Sequence, residues 1–133
     1  MKPSNYTILL VDDDMDYIFQ TRIKLEKYGF KVITAESQHE AEQIITKIRP
    51  DLAILDLMME NEDSGFILSY KMKKKYPDVP VIISTAVATE TGITFDITDE
   101  NNRKWIRADA FLDKAVKTEI LYGEIVKFID KKN

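Results

Sequence analysis

Short, continuous apolar runs recur along the chain, and each run ends at polar residues. Continuous runs of this length are typical of strands that are buried on both faces of a parallel sheet. The segment from Lys31 to Ala35 is more mixed in polarity, as expected of an edge strand. The pattern predicts five strands, over residues 7–11, 31–35, 52–56, 80–85 and 110–112.

Amphipathic segments separate these runs and predict helices. Asp14 is a suitable N-cap for the first helix, and Gly29 is a suitable stop after it. Ser37-Gln38-His39-Glu40 is a capping box, and apolar residues follow it at helical spacing up to Ile48. The other predicted helices cover about residues 15–28, 64–76 and 115–130.

The segment from Val87 to Arg107 does not follow the same pattern. Ile93, Phe95 and Ile97 alternate with polar residues, which is strand periodicity, but a turn-like acidic stretch follows them. We expect a short or displaced helix here, within an insertion over about residues 88–107.

Strands that alternate with helices imply a parallel sheet with helices on both faces and right-handed crossovers. At 133 residues the chain is predicted to be a single domain, residues 1–133. Its net charge of −4 argues against a nucleic-acid surface, and the lack of cysteine excludes disulfides and thiolate chemistry. No apolar run reaches membrane-spanning length and no secretory signal opens the chain, so no membrane contact and a cytoplasmic location are expected.

Polar residues stand at the carboxyl ends of four predicted strands, and these ends meet at one rim of a parallel sheet. Carboxylates held this close repel one another and raise one another's pKa values unless a divalent cation neutralises them. Hard oxygen ligands without histidine or cysteine favour Mg²⁺. A lysine and a hydroxyl beside them would help to neutralise a phosphoryl group on an aspartate. The residues expected at this rim are Asp12, Asp13, Asp56, Thr85 and Lys114.

Four segments at this rim resemble the motifs of response-regulator receiver domains, the CheY-like phospho-acceptor modules of two-component signalling. They are Leu10–Asp14, Leu55–Met59, Ser84–Ala86 and Ala108–Lys114. The resemblance implies an α/β, flavodoxin-like (βα)5 fold, a three-layer sandwich whose five parallel strands lie in the order 2-1-3-4-5.

The resemblance also implies a role for each rim residue. Asp56 would be the phosphorylated residue, and Thr85 and Lys114 would contact phosphoryl oxygens. Phe111 matches an aromatic position whose ring reorients with Thr85. The implied Mg²⁺ ligands are Asp12, Asp13, Asp56 and the main-chain carbonyl of Met58.

The sequence departs from the family pattern around the predicted site. Ala115 stands where proline usually follows the lysine, so the Lys114–Ala115 peptide is expected to be trans. Glu60 stands where proline is common, and Gly65 falls one residue later than usual. Met58 and Val87 are both apolar, and their positions in receivers border the path of the water that attacks the phosphoryl group. Neither side chain can orient this water by hydrogen bonding, so we predict a long-lived phosphoryl group.

A receiver of this kind would take a phosphoryl group from a sensor histidine kinase or a phosphotransfer protein and catalyse only its own phosphorylation and dephosphorylation. We expect no output domain in this chain, so it would control a partner or an attached output, and two copies could pair through the last helix. One alternative is a degenerate receiver that binds proteins without phosphorylation. The other is a phosphatase like the haloacid dehalogenases, which would use Asp12-Asp13-Asp14 but leave Asp56 idle and lack the family's later acidic pair.

Overall fold

The computed structural model describes residues 2–86 and 108–130, so the helix predicted within residues 87–107 lies outside the described residues. A short 3₁₀ turn, Pro3–Asn5, precedes the first strand. The strands are β1 (Thr7–Val11), β2 (Lys31–Ala35), β3 (Leu52–Leu55), β4 (Val81–Thr85) and β5 (Ala110–Asp113). The helices in the described residues are α1 (Met15–Lys27), α2 (Gln38–Lys47), α3 (Ser64–Lys75) and α4 (Thr118–Asp130).

The five strands form one parallel sheet in the order β2-β1-β3-β4-β5, which confirms the expected topology. Val11 at the end of β1 pairs with Ala35 on one side and Leu55 on the other. Thr85 at the end of β4 pairs with Asp113. The carboxyl ends of the strands are therefore level, so the residues that follow them emerge at one rim.

Successive residues of each strand face opposite sides of the sheet and enter two separate apolar clusters. Ile8 and Leu10 of β1 face one side, whereas Leu9 and Val11 face the other. The first side packs against α1 and α4, and the second packs against α2 and α3, which gives the three layers expected. The side chains fully buried in these clusters include Leu25, Leu52, Ile54, Leu68, Met72, Ile82 and Ile125.

The ends of α1 follow the sequence prediction. The side chain of Asp14 accepts hydrogen bonds from the backbone N–H groups of Asp16 and Tyr17. Gly29 adopts a φ of 107°, a left-handed conformation that disfavours residues with a Cβ atom. Both residues therefore perform the capping and stopping roles that their positions indicated.

The helical spacing predicted for α2 extends to Ile48, one residue too far, and the predicted start of α4 at about Ala115 is too early. Ile48 has extended backbone angles and is 42% exposed, because α2 ends at Lys47. The last helix begins at Thr118 rather than at about Ala115. Asp113 holds the intervening residues in a turn, since its side chain accepts the N–H of Ala115 at 2.8 Å. The described residues contain no cis peptide, so the Lys114–Ala115 bond is trans, as expected.

Two aspartates connect neighbouring strands at their amino ends, opposite the rim. Asp51, before β3, accepts the N–H of Thr7 at 2.7 Å. Asp109, before β5, accepts the N–H of Val81 at 2.7 Å and also lies 2.6 Å from the ammonium of Lys73. These contacts hold the starts of neighbouring strands in register, and the carboxyl ends of the same strands are aligned as a consequence. None of the helices in the described ranges is both long and apolar enough to cross a membrane.

Candidate functional site

The backbone just after three of the strands keeps the hydrogen-bond pattern of the sheet. Three residues that follow strand ends donate their N–H groups to carbonyls of neighbouring strands, so the hydrogen-bond ladder continues one step further. These bonds run from Asp12 to Ala35 (3.1 Å), from Asp56 to Val11 (2.8 Å) and from Lys114 to Thr85 (3.1 Å). The side chains of these residues therefore leave from backbone that the sheet holds in place.

Three carboxylates converge at this rim, as the sequence predicted. One oxygen from each of Asp12, Asp13 and Asp56 lies within 4.8 Å of the others. Asp12 is fully buried and Asp56 is 5% exposed, whereas Asp13 is exposed to solvent. Thr85, at the end of the neighbouring β4, is also buried.

Lys114 supplies positive charge to this cluster, and it lies closer to Asp12 than to Asp56. Its ammonium is 3.0 Å from Oδ1 and 2.8 Å from Oδ2 of Asp12, but 3.5 Å from Oδ1 of Asp56. Oδ2 of Asp12 is buried, and the ionic contact with this ammonium is the one partner that the described residues give it. Among the described residues, one ammonium thus pairs with two of the three carboxylates, those of Asp12 and Asp56.

The electrostatic consequence is seen most clearly at Asp56. Burial, followed by the negative charge of Asp12, raises the pKa of Asp56 to about 7, although Lys114 acts in the opposite direction. Burial also raises the pKa of Asp12 against the effect of Lys114. Burial by itself would lower the pKa of Lys114, but its bonds and attraction to Asp12 and Asp56 raise it overall. Among the described residues, the site therefore holds less positive charge than its three carboxylates carry negative charge.

This donor set fits a hard divalent cation. Carboxylate oxygens without nitrogen or sulfur donors are typical of Mg²⁺ and Ca²⁺ sites. Oδ2 of Asp12 is a buried oxygen with an ionic contact to Lys114 but no hydrogen bond, so such an ion would give it a further partner. The geometry of the three carboxylates is therefore compatible with the predicted metal site.

Tyr17 of α1 is a neighbour of the site that the sequence interpretation missed. Its hydroxyl lies 2.8 Å from Oγ of Ser84, and the ammonium of Lys114 lies 5.0 Å from the centroid of its ring. A cation over an aromatic face at this distance is attracted to the ring. Burial raises the pKa of Tyr17, so the ring stays neutral at ordinary pH. In the sequence, Tyr17 is marked only by lying one helical turn before Thr21, a spacing that places both residues on the buried face of α1.

The loop after Asp56 packs unusually closely against the start of α3. The N–H of Gly65 donates to the carbonyl of Leu57 at 2.7 Å. A Cβ atom on Gly65 would lie 2.3 Å from the carbonyl oxygen of Asp56 and 2.6 Å from Cα of Leu57, so only glycine fits. Met58 follows in this loop with its side chain 40% exposed, and the metal-ligand role of its carbonyl stays a prediction.

Phe111 of β5 lies next to the site but inside an apolar group. Its ring makes an edge-on contact with Phe66, with 6.2 Å between ring centroids, and packs beside Leu57 and Ile83. The ring is half-buried, and its predicted reorientation stays a prediction.

The fold and the acidic rim define the class first: a flavodoxin-like α/β protein with its polar site at the carboxyl ends of the strands. A family model described as the response regulator receiver domain matches residues 8–126. The chain therefore belongs to the family of response-regulator receiver domains.

Individual relatives agree with this assignment. The chain is 33% identical to the transcriptional regulatory protein GlrR of Escherichia coli over 132 residues, which cover 93% of this chain and 26% of that protein. It thus spans about a quarter of the relative's length. A CheY-like receiver domain protein of Methanospirillum hungatei superposes with a TM-score of 0.80 at 25% identity, covering 95% of this chain and 94% of that one. A receiver domain protein of Clostridium thermocellum gives 0.78 at 27% identity, with 96% of each chain covered.

Proposed function

We propose that this receiver accepts a phosphoryl group on Asp56 in a Mg²⁺-dependent reaction and controls a partner or an attached output through the resulting change in conformation. The observation that carries the proposal is the position of Asp56. Its carboxylate is buried at the rim, within 4.8 Å of Asp12 and Asp13 and 3.5 Å from the ammonium of Lys114. A phosphoryl group on Asp56 would therefore lie next to the two other carboxylates and to the ammonium of Lys114.

The phosphoryl donor would be a phosphohistidine of a sensor kinase or phosphotransfer protein. An oxygen of Asp56 forms a bond to phosphorus while the phosphorus–nitrogen bond of the donor breaks, and the departing imidazole keeps the electron pair and takes up a proton. The product is an acyl phosphate on Asp56. Catalysis of such transfers is mostly positioning and charge neutralisation, and the protein's contributions here are the fixed carboxylate and the Lys114 ammonium.

Asp12, Asp13, Asp56 and the carbonyl of Met58 would hold the Mg²⁺ ion. When bound, the ion supplies the positive charge that the three carboxylates lack and offsets the charge of the phosphoryl oxygens. Thr85 would donate its hydroxyl to a phosphoryl oxygen, and Lys114 would pair with another. The transferred group adds negative charge and acceptor oxygens to the rim. Thr85 would move toward these oxygens to donate its hydroxyl, and the ring of Phe111 would reorient with it.

The two alternative functions make less use of this geometry. A haloacid-dehalogenase-like phosphatase would leave Asp56 without a role, although Asp56 lies buried among the charged residues of the rim. A receiver that binds partners without phosphorylation would give no role to the convergence of the three carboxylates at the rim.

The proposal is tested by intact-mass spectrometry after incubation with Mg²⁺ and acetyl phosphate. We expect the mass of one phosphoryl group to be added to the wild type and not to Asp56→Asn, and chelation of Mg²⁺ to abolish the addition. Addition to Asp56→Asn would assign the acceptor to another residue. No addition to a wild-type protein that binds Mg²⁺ in calorimetry would favour the phosphorylation-independent binding module.

A further inference from the structure

Glu60, in the loop between β3 and α3, contacts a helix that is distant in sequence. Its Oε1 accepts the backbone N–H of Gln38 at 2.8 Å, and its Oε2 accepts that of His39 at 2.9 Å. Both N–H groups belong to the first turn of α2, where no partner exists within the helix. The loop that follows Asp56 is thus attached to α2 by two charge-assisted hydrogen bonds.

This contact is additional to the local cap of α2. Ser37, as the sequence predicted, accepts the N–H of Glu40 with its hydroxyl at 3.0 Å. Glu60 therefore satisfies two further N–H groups of the first turn from outside the helix. Slight burial acts in the opposite direction, but the hydrogen bonds from Gln38 and His39 lower the pKa of Glu60, so it is ionised at neutral pH.

The rest of the loop is held at its two ends. The carbonyl of Leu57 accepts the N–H of Gly65, and Asn61 donates its N–H to Oγ of Ser64 at 3.0 Å. Met58 lies between the fixed Leu57 and Glu60. With Glu60 attached to α2, the backbone around Met58 has fixed points on both sides.

We propose that Glu60 is a positioning residue, which holds this loop against α2 and thereby sets the place of the Met58 carbonyl in the metal site. The inference rests on the proposed function, because it assigns Glu60 to the same Mg²⁺ site. A backbone ligand in a loop binds a metal more tightly when the loop is held in the binding conformation beforehand, and partners outside the ligand set supply that constraint. Glu60 acts through the loop and does not itself contact the ion.

Four variants separate positioning from charge and from helix capping. Glu60→Ala removes both hydrogen bonds, whereas Glu60→Gln keeps one acceptor oxygen. Glu62→Ala removes a charge from the same loop at an exposed residue for which the described structure shows no bond to α2. Ser37→Ala weakens the cap of α2 but leaves the loop contact in place.

Two measurements are made on each variant: Mg²⁺ affinity by calorimetry, and hydrogen exchange of the Gln38 and His39 amides without metal. We expect Glu60→Ala to weaken Mg²⁺ binding by about tenfold, the lower end of what loss of an outer partner costs a metal site. Both amides should exchange at least about tenfold faster in Glu60→Ala, since each loses its hydrogen bond. Glu60→Gln should lie between Glu60→Ala and the wild type.

We expect Glu62→Ala to change Mg²⁺ affinity by less than about twofold, because exposed charges interact weakly in water. Ser37→Ala should also change it by less than about twofold, because the bonds of Glu60 to α2 stay in place. Equal Mg²⁺ affinity for wild type and Glu60→Ala, or equal losses for Glu60→Ala and Glu62→Ala, would overturn the positioning role and leave the proposed function intact. Unchanged exchange at Gln38 and His39 would overturn the attachment itself. A wild type that does not bind Mg²⁺ would overturn the proposed metal site and the role assigned to Glu60 within it.

Discussion

Replacing Asp56 by asparagine should stabilise the metal-free protein at neutral pH. The carboxylate of Asp56 is buried beside Asp12, and Lys114 lies closer to Asp12 than to Asp56. Ionising Asp56 therefore adds an under-compensated charge to a buried cluster. Asparagine has nearly the same shape but stays neutral, so it imitates the protonated aspartate at every pH.

The size of the effect follows from the pKa of Asp56. In the native protein burial and Asp12 raise it to about 7, from an ordinary value of 3.8 in the unfolded chain. Between these values the native state binds a proton that the unfolded state has lost, so the free energy of unfolding falls as the pH rises from about 4 to about 7. A difference of about three pH units, at about 1.36 kcal/mol each, sets a ceiling of about 4 kcal/mol. Local relaxation reduces this, and we expect about 1–3 kcal/mol.

The assay is urea denaturation followed by circular dichroism, in EDTA, at several pH values between 4 and 8. We expect wild type and Asp56→Asn to be similar near pH 4, and Asp56→Asn to become the more stable protein as the pH rises. Asp78→Asn, at an exposed aspartate in the turn before β4, serves as the control and should follow the wild type. Parallel pH profiles for Asp56→Asn and wild type would refute the reasoning. Excess Mg²⁺ should narrow the gap, because binding stabilises the wild-type native state.

Three further substitutions test other parts of the structure. Gly65→Ala should destabilise the protein by about 2–4 kcal/mol in urea denaturation and weaken Mg²⁺ binding, because its Cβ atom would collide with the backbone of Asp56; normal stability would show that the loop can move aside. Asp109→Ala should cost about 1–2 kcal/mol through the lost bonds to Val81 and Lys73, while Mg²⁺ affinity stays unchanged, since this aspartate lies at the far edge of the sheet. Met58→Asn should shorten the lifetime of the phosphorylated protein, followed by intact mass after removal of the donor, because a polar side chain could orient the attacking water; an unchanged decay rate would count against this.

Much of the fold was predictable because burial on both faces of a parallel sheet leaves a local signature. The apolar runs at Ile8–Val11 and Leu52–Leu55 are typical of strands in the middle of such a sheet, and both are fully buried. Once parallel order is assumed, the carboxyl ends of the strands must share a rim. The convergence of Asp12, Asp13 and Asp56 follows from that topology, without knowledge of any side-chain contact.

The errors arose where local periodicity does not decide the outcome. Ile48 continues the helical spacing of α2, yet the chain turns away before Pro50 and leaves this side chain exposed. Ala115 could begin a helix, but Asp113 binds its N–H and holds a turn until Thr118. In each case a competing local contact or a change of direction is more favourable than one more helical residue.

By itself, the sequence determined the strands, their order along the chain and the residue types at the rim, because these depend on periodicity and on where apolar runs end. Only the tertiary structure decided which charges pair. Lys114 lies nearest Asp12, Tyr17 reaches Ser84 and Lys114 from α1, and Glu60 binds the start of α2. Each of these contacts joins separate elements, and its geometry depends on how helices and loops pack on the sheet. That packing has no local pattern, since it is set by the shapes of all the buried side chains together.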